Sequence, residues 1–128
     1  MSRTYFITSS SKIDFGNLNI PLISTNDYLL STFPYLKNKQ YIYDFDNFNN
    51  KVSYKEFVKV LYQLSLENDC CIELIVLWNT TQKSEISEYN TKPNNVIRIN
   101  NDSNLYSLIY ALENNSILPS TAYIIKIQ

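Results

Sequence analysis

Histidine is absent from this 128-residue chain, and glycine occurs once, at Gly16. Histidine supplies the base or the metal ligand in most hydrolytic sites. Glycine lets backbone N–H groups close on the anion in most phosphate-binding loops. Both routes are nearly shut here. Cysteine is also scarce: Cys70 and Cys71 are the only two, and they are adjacent. Successive strand residues point to opposite faces, so a bridge between them is strained. With no disulfide framework to build, the chain is expected in a reducing compartment, the cytoplasm. No apolar run reaches the roughly 18 residues of a membrane span. The opening MSRTYFITSS lacks the continuous apolar stretch of a signal peptide. Neither a leader nor a membrane partner is expected.

What is present describes a folded domain. The length suits one domain, residues 1–128. A 45% hydrophobic fraction, eleven tyrosines and six phenylalanines exclude a disordered chain. Seventeen asparagines accompany the tyrosine, isoleucine and lysine. This is the bias of AT-rich coding sequences, as in phage-borne and mobile bacterial genes. The net charge of −1 and a pI near 5.3 argue against a general nucleic-acid binder, which should be basic. The charge is uneven. Residues 1–65 carry seven bases and five acids, whereas residues 66–125 carry three bases and seven acids. An acidic C-terminal half suits a basic partner.

Patterning predicts alternating strands and helices. Residues 4–9 read as a strand, 20–24 as a short extended piece, and 41–45 as a second strand. A helix is expected from Asn26 or Asp27, cut short because Pro34 disfavours the helical conformation at Phe33. The clearest signal is KVSYKEFVKVLYQLSLEN. Ser53 and Glu56 form a capping box, Val52 and Phe57 a hydrophobic staple, and Phe57, Leu61 and Leu64 a single face. A helix over 53–67 follows. Residues 71–78, CIELIVLW, are apolar except for Glu73, the pattern of a strand covered on both faces. A turn of helix around Lys83–Tyr89, a strand at 96–100, a helix after Asp102 or Ser103 and a strand at 122–127 complete the order. The second long helix carries Leu105, Leu108, Ile109 and Leu112 at helical spacing. This alternation predicts an α/β domain with a five-stranded, mostly parallel sheet and helices on both faces. The alternative is an α+β domain with an antiparallel edge. With glycine nearly absent, asparagine is expected at left-handed positions.

In a parallel sheet, sites gather beyond the carboxyl ends of strands. Asp44, Asp46 and Asp102 are the acids expected there. Three carboxylates hold Mg²⁺ without histidine, because that ion prefers oxygen ligands. The string YIYDFDNF resembles two families. Haloacid-dehalogenase-type phosphatases carry a strand followed by D-x-D-x-T/V, and the resemblance implies Asp44 as nucleophile and Asp46 as acid/base. Phe48 stands where that pattern has Thr or Val. The string is also similar to the opening of PIN- and NYN-like ribonucleases, which implies Asp44, Asp46 and Asn47 at a metal site, with Asp102 as a further ligand. The motif lies far from the N-terminus, unlike in those families. The competing reading is structural, because Asp and Asn favour turns between a strand and a helix. An EF-hand is excluded: Phe48 and Asn49 fall where an oxygen ligand and glycine are needed. Ser9 to Ser11 have no histidine to activate them, and the cysteines have no evident base. Tyr41, Tyr43, Tyr54, Tyr62, Tyr106 and Tyr110 read as packing at core margins. Eleven tyrosines nevertheless exceed what a small core hides, so several should be exposed and available to a partner.

The sequence therefore favours a small cytoplasmic protein-binding inhibitor with no catalytic residues, metal or cofactor. The expected type is a bacterial immunity protein that neutralises a cognate toxin, a nuclease above all. A phage-encoded inhibitor of a host defence protein is the near alternative. The candidate binding residues are Asp44, Asp46, Glu85, Glu88, Tyr89 and Asp102. The enzymatic alternative is a metal-dependent phosphoesterase or ribonuclease using Asp44, Asp46 and Asp102.

Overall fold

The structure, a computed structural model, describes residues 2–16, 18, 20–45, 54–67, 72–79, 92–114 and 116–126. Among the described residues five strands form one sheet: β1 (Ser2–Ser9), β2 (Tyr41–Asp44), β3 (Ile72–Asn79), β4 (Asn95–Ile99) and β5 (Thr121–Ile125), in the spatial order β2-β1-β3-β5-β4. The helices are α1 (Asp27–Thr32), α2 (Tyr54–Glu67) and α3 (Asp102–Glu113), with a 3₁₀ helix at Pro34–Asn38.

The sheet is mixed and mostly antiparallel, which overturns the expected parallel α/β sheet in favour of the α+β alternative. β1 runs antiparallel to both β2 and β3, β3 runs antiparallel to β5, and only β4 and β5 are parallel. The reason is the placement of β1. The unit β2-α2-β3 does connect two strands of like direction, but β1 lies between them and opposes both. The unit β4-α3-β5 keeps its strands adjacent and gives the one parallel pair. Hydrophobic patterning reports which faces of a strand are buried, not which way its neighbours run.

The buried run itself behaves as its composition requires. Ile72 to Leu77 are all buried, in the central strand. Alternation sends Ile72, Leu74 and Val76 to one face and Ile75 and Leu77 to the other. On the first face, Phe57 and Leu61 of α2 and Leu105, Leu108 and Leu112 of α3 close the core, joined by Tyr5, Ile7 and Phe45. On the second face, Phe33 and Leu36 of the α1–3₁₀ region pack on Phe6, Ile42 and Ile75. Pro34 stands at the first position of the 3₁₀ helix, so the interruption read from the sequence is a change of helix type. The extended piece is also present: Ile23 N–H donates to the Ile42 carbonyl, and Asp44 N–H to the Pro21 carbonyl. These bonds occupy the outer edge of β2, which would otherwise offer unpaired backbone to another chain.

Among the described residues no asparagine takes a left-handed position; these belong to Gly16 (φ 61°) and Ser120 (φ 65°). Ser120 closes the turn into β5: its N–H donates to the Val76 carbonyl, and its own carbonyl accepts from Asn94 and Asn95. Asparagine works at helix ends instead. Asn26 Oδ1 accepts from Leu29 N–H at 2.8 Å, and Asn101 Oδ1 accepts from Asn104 N–H at 2.9 Å. Each satisfies one donor that the first helical turn leaves unpaired. Asn101→Ala is expected to lower stability by about 1 kcal/mol, and Asn101→Asp by much less. Urea unfolding of the two variants measures the difference.

Tyr123 of β5 is buried beside Tyr5. Burial, and then the nearby Tyr5 hydroxyl, push its pKa above the ordinary tyrosine value. The folded state therefore holds this proton more tightly than the unfolded state. Its contribution is complete below about pH 10 and falls as pH rises through the shifted value. Tyr123→Phe should flatten the loss of melting temperature between roughly pH 9 and 11.

Candidate functional site

The sequence nominated six residues, and two of them fall among those described with their side chains. Asp44 ends β2, one edge of the sheet. Asp102 opens α3, directly after β4 at the other edge. Four inter-strand steps of about 4.8 Å separate these edges, roughly 19 Å. The two are also at opposite ends. Asp44 shares a cross-strand row with Phe6, Ile75, Ala122 and Val96. Asp102 lies past Ile99, at the end marked by the row Tyr41, Ser9, Ile72, Ile125 and Ile99. Diagonal corners of a sheet cannot share one ion, so Asp44 and Asp102 do not form the metal site that the ribonuclease resemblance implies. Among the described residues no cluster of three acidic or cysteine ligands occurs. Asp46, Glu85, Glu88 and Tyr89 lie outside the described residues, as do Cys70, Cys71, the Ser53 cap, the expected helical turn at 83–89 and the side chain of Trp78.

The structure brings Asp102 together with residues read differently from the sequence. Tyr106 and Tyr110 are not core-margin residues: they are 71% and 68% exposed. Tyr41 and Tyr62 do sit half-buried, and Tyr43 is fully buried. The phase of α3 explains the difference. Leu105, Leu108 and Leu112 define its inward face. At 100° per residue, Tyr106 and Tyr110 project more than about 120° from that direction. Asp102, Tyr106, Tyr110 and Glu113 fall within an arc of about 80° and make one stripe about 16 Å long. The signal was available in the sequence, because the leucines that set the inner face also set the outer one.

This stripe has three physical marks. First, α3 contains no lysine or arginine, so its two acids are not neutralised along the helix. Second, Glu113 stands in the last turn, where the helix dipole favours a cation instead. Third, tyrosine is a weaker helix former than the alanine, lysine or glutamate that suits a solvated face. Among the described residues, none of these four side chains has an intramolecular hydrogen bond or ion pair. Apart from Asp102, which the dipole favours in the first turn, the surface is therefore not arranged for the stability of the helix. It presents two rigid amphipathic rings, each with a free hydroxyl, between two carboxylates. Such rings bury large contact areas at low entropic cost. Their faces attract cations, and the flanking acids attract the same cations.

No family model, curated protein or solved structure matches the chain. No helix among the described residues is long and apolar enough to cross a membrane.

Proposed function

We propose that the chain is a small cytoplasmic protein-binding inhibitor, of the kind that guards a bacterium against a cognate toxin, and that the α3 stripe is its grip. The observation that carries this reading is the alignment of Asp102, Tyr106, Tyr110 and Glu113 along one outward face. A toxin that cuts nucleic acid must hold a polyanion, so its substrate groove is basic. Carboxylates on an inhibitor enter such a groove and hasten the encounter, while aromatic anchors supply the affinity. The sequence of residues 66–125, with three bases against seven acids, has the charge balance that suits a basic partner. A phage-encoded inhibitor of a host defence protein would use this surface in the same way.

The test is capture from the producing cells with two baits, the natural chain and a Tyr106→Ala/Tyr110→Ala chain. The proposal expects a basic partner held by the first bait and lost by the second. That partner's catalytic activity should fall when the natural chain is added. A partner retained equally by both baits, or one whose activity is unchanged on binding, would contradict it.

A further inference from the structure

The face of the sheet opposite α3 carries a buried charge that the proposed grip does not use. Glu73 interrupts the apolar run of β3 and is only 4% exposed. Its carboxylate is held from three sides. The Tyr35 hydroxyl donates to Oε2 at 2.7 Å, and the Thr8 hydroxyl donates to Oε1 at 3.2 Å. Lys39 Nζ stands 3.5 Å from Oε1. The same ammonium lies 3.3 Å from the Tyr35 hydroxyl and 4.4 Å from the centre of the Tyr35 ring.

These distances define a position for a cation, with a carboxylate on one side and an aromatic ring on the other. Lysine fills it loosely. A charge-assisted N–H···O bond is about 2.7–2.9 Å long, and among the described residues Oε1 has only the two longer contacts. Directly outside opens a pocket of about 220 Å³, lined by Thr8, Ser10, Asn38, Lys39, Gln40 and Glu73. Lys39 is the one base among these lining residues. With its flexible stem swung outward, the pocket keeps the Glu73 charge among neutral hydroxyls and amides. A buried carboxylate left without a counter-charge is strongly unfavourable, so the site then demands a cation.

We propose that this pocket binds an organic cation carrying a guanidinium group, and that Lys39 is a built-in occupant which the ligand displaces. A guanidinium suits the position better than an ammonium. It is planar and weakly hydrated, and it donates to a carboxylate while its face lies against an aromatic ring. The same group is offered by a free alkylguanidinium and by an arginine side chain of another protein.

The ¹⁵N-labelled chain is titrated with N-ethylguanidinium, with a capped Gly-Arg-Gly peptide, and with N-ethylurea as an uncharged control. The amides of Thr8, Ser10 and Gln40 are followed by NMR. Ethylguanidinium should give saturable shifts at these amides, and ethylurea none. Lys39→Ala should tighten binding about tenfold, because the closed form no longer competes. Glu73→Gln should abolish it, while Tyr106→Ala/Tyr110→Ala, on the opposite face, should leave it unchanged. Binding of the peptide as well assigns the site to an arginine side chain, and binding of ethylguanidinium alone assigns it to a free small molecule. The proposal is overturned if no saturable shift occurs in either the natural or the Lys39→Ala chain. Equal binding of ethylurea, or weaker binding by Lys39→Ala, would overturn it as well.

Discussion

Removing both rings of the α3 stripe, in Tyr106→Ala/Tyr110→Ala, is expected to weaken partner binding by about a thousandfold. Each aromatic anchor at the centre of an interface contributes on the order of 2 kcal/mol or more, about thirtyfold apiece. The fold should scarcely notice. Both side chains project into solvent, 71% and 68% exposed, and the inward leucines are untouched. The melting temperature should therefore move by no more than about 3 °C. Asp102→Asn/Glu113→Gln should act differently, lowering the association rate and its dependence on salt more than the dissociation rate. Surface plasmon resonance at two ionic strengths separates these effects. A double-tyrosine variant that binds normally would place the partner elsewhere.

Phe57→Ala should do the opposite, sparing the outer surface and undermining the core. Phe57 is fully buried, and its ring lies 4.7 Å from that of Phe45, which in turn makes an edge contact with Tyr5 of β1 at 6.1 Å. These three rings join α2 to the first strand of the sheet. A large-to-small change here removes about 3–5 kcal/mol, a large share of the 5–15 kcal/mol typical of a whole domain. The expected result is a melting temperature lower by roughly 10–20 °C. Phe57→Leu keeps most of the volume and should cost about 1–2 kcal/mol. Thermal unfolding followed by circular dichroism distinguishes the two. Equal stability of Phe57→Ala and the natural chain would mean that α2 does not pack on this face.

The contrast between these variants shows what the sequence could tell and what it could not. Local chemistry was legible. The leucine spacing marked α3, Pro34 marked the end of α1, and the apolar run in β3, interrupted only by Glu73, marked a strand covered on both faces. Strand direction was not, because β1 inserts between β2 and β3 from a distance that no local pattern records. The same limit hid the surroundings of Glu73. Its conspicuous place in an apolar strand was plain, yet its partner Tyr35 is 38 residues away. Asp44 and Asp102 looked related for the same reason. Each lies at the carboxyl end of a strand, and in a parallel sheet those ends would coincide. In the mixed sheet they are diagonal corners.

The proposed binding surface was half legible. Its place after a strand makes Asp102 a candidate, whereas residue type alone puts Tyr106 and Tyr110 at the core margin. Projecting them against the inward leucines turns them outward. Aromatic residues on a helix carry no information about exposure until the buried face is known.

Cross-saturation NMR on the deuterated chain, bound to its captured partner, tests the central claim most directly. Intensity loss should concentrate on the amides of Ser103, Tyr106, Ser107, Tyr110 and Glu113, one face of α3. Loss confined to α1 and the 3₁₀ helix, with α3 unaffected, would contradict the account.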